Sequence, residues 1–446
     1  MLANSSYVVP AIPAHQLLVF LLQAGLLLGV ALLLGLLAQR IGLPAIAGEL
    51  CTGVIAGPSV LSHISPGLSG WLFPASGTQL HLLDAVGEIG LLLLVGITGM
   101  QIDLNMVRRR GRTAGVVGFS ALLVPFGAGI GTALLLPGSL SPASGHTTAF
   151  ILFIGIALGV SAIPVIAKTL TDLRLIDREI GQLIMCAVTI DDIVGWALLA
   201  VVSALASTGM HASTWVTVAA VPLVILAGLL IRPLLRAAIA RAQRAAGDGA
   251  LIALLATLVL LSGAATQALK LEAIFGAFVC GLLVRSCGNL DLTRLAPLRD
   301  TTLFVLAPLY FATAGLRIDL TTLSHASVLI AGVCVLAVAI AGKFGGAYLG
   351  ARITRLGRWE SLALGAGTNS RGVVEVVIAV TGLQLGVINT AMYTVIVLIA
   401  VVTSLIAPPL LRYSVARAEL SAESRLRADV DASLVPVDPH AGPPVE

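Results

Sequence analysis

The chain is a succession of apolar runs separated by short polar breaks. Thirteen runs can be read, with approximate limits 16–38, 43–60, 80–100, 113–136, 148–170, 180–206, 214–235, 250–269, 272–286, 301–316, 327–350, 360–382 and 390–412. A membrane-spanning helix needs about 20 predominantly apolar residues. The pattern therefore predicts an all-α membrane protein with about thirteen transmembrane helices. It divides into an N-terminal segment 1–15, a membrane domain 16–412, and a polar, proline-containing end 413–446 that is expected to be disordered.

The polar breaks differ sharply in charge. Every second break is basic, and together these hold 22 of the 26 Lys and Arg residues, the Arg108, Arg109, Arg110 and Arg112 group among them. The other breaks hold only Lys270 and Arg317, while Lys343 and Arg371 fall inside apolar runs. By the positive-inside rule the basic breaks are cytoplasmic. The first residue is then outside, in the extracytoplasmic segment 1–15, and the last is inside. A single missed span would have scrambled the alternation.

The two halves echo each other. Thr98-Gly99-Met100-Gln101-Ile102-Asp103-Leu104 resembles Ala314-Gly315-Leu316-Arg317-Ile318-Asp319-Leu320, and Glu49 with Gly53 and Gly57 resembles Glu272 with Gly276 and Gly281. The first motif closes a span on the cytoplasmic side and the second closes one on the outer side. Related sequence in opposite orientation predicts inverted repeats, spans 1–6 and 8–13, with span 7 as linker.

Composition narrows the class. With 58% hydrophobic and 11% charged residues among 446, the chain lies far from the soluble norm of about a quarter charged. The five cysteines form no Cys-x-x-Cys and read as free thiols packed among helices. Six of the seven histidines fall on the outer side and none is deep in a span, which argues against a histidine proton relay. No dinucleotide fingerprint or P-loop occurs. No enzymatic activity, cofactor or nucleic-acid partner is expected; the partners are the bilayer and whatever crosses it.

Chemistry enters with ionisable groups inside the apolar runs, where they are functional by default. Asp191 and Asp192 sit side by side in run 180–206, about 15 Å from its start at 1.5 Å per residue. Even low insertion scales put one charge at that depth at about 3 kcal/mol, and two adjacent carboxylates repel each other. A cation or a proton is the obvious compensation. Neighbours on a helix project about 100° apart, so one carboxylate can meet a basic partner while the other faces a cavity. Lys343, flanked by glycines in AIAGKFGGAYLG, is the expected partner. Arg371 and Glu375 complete the intramembrane set, whose formal charge is −1. One monovalent cation or one proton would neutralise it.

Two runs look discontinuous. The fifth contains Ser161-Ala162-Ile163-Pro164, and proline removes a backbone donor. The twelfth contains Gly367-Thr368-Asn369-Ser370-Arg371-Gly372, too polar for a lipid-facing helix. Irregular backbone at this depth is tolerated only where it is buried or lines a cavity. Both breaks are fifth of six within the proposed repeats, and matched breaks point to a midplane ion site. Glu375 would offset the N-terminal dipole of the half-helix that follows the second break.

The segments SAIPVIAKTLTDLRLIDREIGQLIMCAVTIDDIVGWALLA and NSRGVVEVVIAVTGLQLGVINTAMYTVIVLIAVVTSLIAPPLL resemble the fifth and sixth, and the last two, spans of the monovalent cation:proton antiporter-2 family, particularly its plant-type cation/H⁺ exchangers. GVIAGPSVL, GEIGLLLLVGITGMQIDL and LAPLYFATAGLRIDL also match in order. The resemblance implies a homodimeric exchanger with a dimerisation domain and a mobile core crossed by two broken helices. It implies that Asp192 binds cation and proton in turn, that Asp191 stands where many members carry an amide, that Lys343 is the core lysine, and that Arg371 and Glu375 are the charged pair after the second break. The function expected is exchange of H⁺ for Na⁺ or K⁺ across the cell membrane by alternating access. A sodium-coupled organic-solute symporter of similar fold is the alternative.

Overall fold

In a computed structural model, residues 12–41, 43–74, 77–102, 111–138, 140, 147–176, 178–208, 212–244, 248–288 and 291–434 are described. Several expectations fall on residues outside that set: the segment 1–11, Asp103 and Leu104 of the first motif, Arg108 to Arg110, His146, His211 and residues 435–446. Among the described residues there is no strand.

The apolar runs become helices. The first half comprises α1 (Ala14–Arg40), α2 (Ala45–Ala56), α3 (Gly77–Gln101), α4 (Gly111–Leu135), α5a (Thr147–Gly159), α5b (Ile163–Asp172) and α6 (Glu179–Thr208). The long α7 (Ala212–Arg244) leads to α8 (Gly249–Ala268) and α9 (Ala273–Ser286). A π-helical turn, Thr302–Leu306, precedes α10 (Ala307–Gly315). Then come α11 (Ala326–Ile353), α12a (Arg358–Thr368), α12b (Val373–Gln384) and α13 (Thr390–Leu434). Among the described residues nine helical stretches, Ala45–Ile64 beginning with α2 among them, are long and apolar enough to cross a membrane, and Thr147–Gly159, Ala273–Ser286 and Val373–Gln384 are shorter apolar helices. Leucines on the outside of the bundle, such as Leu21 and Leu33 of α1 and Leu230 and Leu234 of α7, are more than half exposed. A helix hydrophobic on all faces is a helix in lipid.

One expectation is corrected. Residues 413–434, read as disordered, continue α13 as helix. The stretch YSVARAELSAESRLRADVDASL is rich in Ala, Leu, Glu and Arg, all strong helix formers, and its first proline comes only at Pro436. Arg417 stacks on Trp359 and Tyr413, with 5.8 and 5.5 Å to the ring centroids. That contact fixes the start of the extension to α12a.

The helices sort into two groups by whom they touch. In one, α4 packs on α11, α5a and α6, and α13 on α12a and α12b. In the other, α3 packs on α9, α1 on α2, and α10 on α2 and α3. Glycines at the crossings set the spacing. A Cβ on Gly53 of α2 would lie 2.0 Å from the Ala312 carbonyl oxygen, and one on Gly281 of α9 would lie 2.2 Å from that of Gly96. Small residues let backbones approach where lipid supplies no hydrophobic drive between helices. Gly342, Gly346 and Gly350 of α11 play this part against α4, and so hold Lys343 deep in the first group.

Candidate ion site

Both discontinuities lie within the first group. Val160, Ser161 and Ala162 separate α5a from α5b, and Asn369 to Gly372 separate α12a from α12b. The two irregular segments meet, with the Ala162 amide donating to the Ser370 carbonyl at 3.2 Å. In water-free surroundings each freed backbone group needs a protein partner, and each break supplies part of what the other lacks.

The carbonyls at the C-terminal end of α5a carry the negative pole of a half-helix, and both buried cations converge there. Lys343 Nζ donates to the Gly159 carbonyl. Arg371 Nη1 donates to Ala157 O at 2.9 Å, and Nη2 to Leu158 O at 2.6 Å and Ala339 O at 3.2 Å. At the end of α12a, the Ser161 hydroxyl lies 2.7 Å from Thr368 O. Ser404 of α13 donates to the Arg371 carbonyl. The capping role of Lys343 and Arg371 had no signal in sequence beyond their depth, because the carbonyls they satisfy belong to a distant segment.

The acids divide as helix geometry requires. Asp191 Oδ2 lies 2.5 Å from Lys343 Nζ and 2.6 Å from Ser161 Oγ. The single Ser161 proton serves either Asp191 or Thr368. Arg371 pairs with Glu375, one turn on, at 2.5 Å. Asp192 is the residue left over: it is fully buried, no side chain pairs with its carboxylate, and only the Ile163 amide at the start of α5b faces it. Asp191 Oδ1, Ser370 Oγ and both side-chain polar atoms of Asn369 are buried and unpartnered. An unpaired carboxylate in such surroundings costs several kcal/mol unless it is protonated or meets a cation. Lys343 lies within electrostatic range of Asp192 and Arg371 as well as Asp191, so the two ion pairs and the Asp192 carboxylate act on one another.

Seven of the eight sequence candidates are therefore brought to one crossing: Ser161, Asp191, Asp192, Lys343, Asn369, Arg371 and Glu375. Pro164 lies in the first turn of α5b, and its side chain is outside the described set. A cleft between the two helix groups, lined by Pro44, Ala47 and Leu50 on one wall and Val165, Gly372 and Ser404 on the other, reaches the second break.

The transmembrane sodium/hydrogen exchanger family matches residues 28–415. The chain belongs to that family. It is 31% identical over 407 residues to the Na(+)/H(+) antiporter NhaS4 of Synechocystis, covering 89% of this chain and 97% of that protein. It is 30% identical to cation/H(+) antiporter 20 of Arabidopsis thaliana, over 87% of this chain and 47% of the plant protein. It is also 30% identical to K(+)/H(+) antiporter 1 of Saccharomyces cerevisiae, over 89% of this chain and 46% of the yeast protein. The chain thus spans about half the length of the plant and yeast relatives. Its fold is similar to that of the sodium proton antiporter MjNhaP1 from Methanocaldococcus jannaschii, with a TM-score of 0.70 at 16% identity, covering 90% of this chain and 98% of that one.

Proposed function

We propose that this member of the exchanger family is a secondary antiporter that exchanges protons for a monovalent cation, Na⁺ or K⁺, by alternating access. One observation carries the proposal: a fully buried Asp192 with no side-chain partner, faced only by the Ile163 amide, at the crossing of two broken helices. The cation and proton are its substrates. In the cation-bound state the ion sits against the Asp192 carboxylate, with Asp191, Ser161 and Asn369 supplying oxygen near it. In the proton-bound state the same carboxylate is neutral. Each form solves the burial problem, and the two exclude each other, so one site serves both substrates. Lys343 holds Asp191 in place, and Arg371 with Glu375 holds the end of α5a.

The sodium-coupled symporter alternative is set aside, because the family and the similar proteins are antiporters.

The finer architecture belongs to the same proposal. Thirteen crossings arise when α5a with α5b, and α12a with α12b, each count once. Inverted repeats, spans 1–6 and 8–13, are supported by paired close approaches: Gly53 lies against Gly315, and Gly281 against Gly99. The first helix group is the moving core. The second carries the dimer interface of a homodimer in the cell membrane, with the first residue outside and the last inside. The Gly372 cleft is the cytoplasmic path.

The test is cation-dependent dequenching of a ΔpH dye in everted vesicles, run with Li⁺, Na⁺, K⁺ and Rb⁺. The wild type is expected to respond to at least one ion. Asp192→Asn is expected to insert normally and to respond to none; wild-type rates in that variant would remove Asp192 from the mechanism.

A further inference from the structure

On the side away from the basic breaks, the seam between the helix groups holds a second set of carboxylates. Asp84 and Glu88 lie one turn apart on α3, both half-buried. Arg317 Nη2 donates to Asp84 Oδ1 at 2.8 Å, and Gln384 Nε2 of α12b reaches Glu88 Oε1 at 3.5 Å. Glu272, preceding α9, is within electrostatic range of Glu88 and faces Ser203 of α6. With Arg317 included, the cluster keeps a formal excess of two negative charges.

Acidity alone would describe any solvated face. Two buried hydroxyls change that. Tyr310 is 4% exposed, and its ring packs on Gly87 between the two α3 acids. Its hydroxyl has no hydrogen-bond partner and lies within electrostatic range of Glu88, Asp84 and Arg317. Ser203 is 3% exposed, and its hydroxyl turns to the Glu272 carboxylate. Ser203 follows Asp192 by eleven residues on α6, about three turns, so it shares the Asp192 face roughly 16 Å along the helix. Between them α6 meets α9 through Trp196 and Phe278, whose ring centroids are 6.0 Å apart.

We propose that Glu88, Glu272 and Asp84, with the Tyr310 and Ser203 hydroxyls, form a second subsite for a monovalent cation. It lies on the extracytoplasmic path to Asp192, beyond the Trp196–Phe278 constriction. The assignment of path and side rests on the antiport reading above. Among the described residues no three His, Cys, Asp or Glu side chains converge into a site that would hold a metal ion outright. Loose carboxylates and neutral hydroxyls suit a partly hydrated Na⁺ or K⁺ held weakly and passed on. Arg317 and Gln384 hold the carboxylates while the seam is shut, so they compete with the ion.

In proteoliposomes of known sidedness, the double variant Glu88→Gln/Glu272→Gln is expected to raise the apparent KM for the cation roughly tenfold from the α3 N-terminal side only. Glu88→Asp/Glu272→Asp, which keeps the charges, is expected to restore it. Arg317→Gln is expected to lower KM from that side. No change, or an equal change from both sides, overturns the subsite. A binding readout separates this from the antiport reading. Purified Asp192→Asn protein is expected to retain saturable binding of Tl⁺, a stand-in for K⁺, and to lose it when Glu88→Gln/Glu272→Gln is added. Absent or unaltered binding overturns the subsite. If that binding behaves as expected while the wild type shows no cation-dependent proton movement, the subsite stands and the antiport reading falls.

Discussion

Asp191 and Asp192 are neighbours in sequence with opposite circumstances, and the difference is one of partners. Asp191 has Lys343 and Ser161; Asp192 has no side-chain partner, only the Ile163 amide facing it. Removing one member of a buried ion pair costs about 3–5 kcal/mol, because the other charge is left uncompensated. Lys343→Met is therefore expected to lower the thermal midpoint of the detergent-solubilised protein by several degrees. Adding Asp191→Asn should recover most of the loss, since the amide leaves no unpaired charge. Additive losses in the double variant would mean that the pair is not coupled as its geometry implies. Proton competition at Asp192 carries its own signature: where the carboxylate is mostly protonated, the apparent KM for the cation should rise about tenfold for each unit fall in pH if one proton competes. A KM independent of pH across the active range would place proton and cation at separate sites.

At the scale of elements, the two breaks are what make the site, and each depends on the other. Arg371 leaves the second break and satisfies the last carbonyls of the helix before the first. Its guanidinium spans three carbonyls and a carboxylate; an ammonium is a point donor. Arg371→Lys is expected to cost stability and abolish exchange despite the retained charge, as thermal denaturation and vesicle transport would show. Wild-type behaviour in both would make the arginine a generic counter-ion. Both breaks were legible in the sequence, because proline and a run of polar and glycine residues cannot sit in a lipid-facing helix. So was the Asp191–Lys343 pairing, since two buried opposite charges have few other places to go. The crossing was not legible. Which carbonyls Lys343 and Arg371 cap depends on bringing residues 157–159 beside residues 343 and 371, and no local pattern encodes that. The helix beyond Tyr413 was missed for a related reason: polarity there says the chain has left the lipid, but not that the helix stops.

For the whole molecule, sidedness and charge movement remain linked, because the direction of a field matters only once the path across it is known. A reporter fused after Arg427 should be cytoplasmic, and a cysteine at Ser141 should label from outside; opposite labelling at either position refutes the orientation. Across that path, the Asp191–Lys343 pair sets the stoichiometry. If Lys343 gives up its proton when the cation arrives between Asp191 and Asp192, and regains it on release, two protons move against one cation. One net charge then crosses per cycle, worth about 2.3 kcal/mol per 100 mV, so the membrane potential drives exchange. If the pair stays protonated throughout, one proton moves per cation and the cycle is blind to voltage. The first course is the expected one. Asp191 is an acid where an amide would leave Lys343 without a counter-ion, and the 2.5 Å contact holds the ammonium on Asp191, one residue from Asp192. An arriving cation would take over its electrostatic role there. Initial rates in proteoliposomes, with ΔpH at zero and a potential set by a permeant-anion gradient, should change when the potential is reversed. Rates indifferent to that reversal would rule out two-for-one exchange and leave Lys343 as a structural tie.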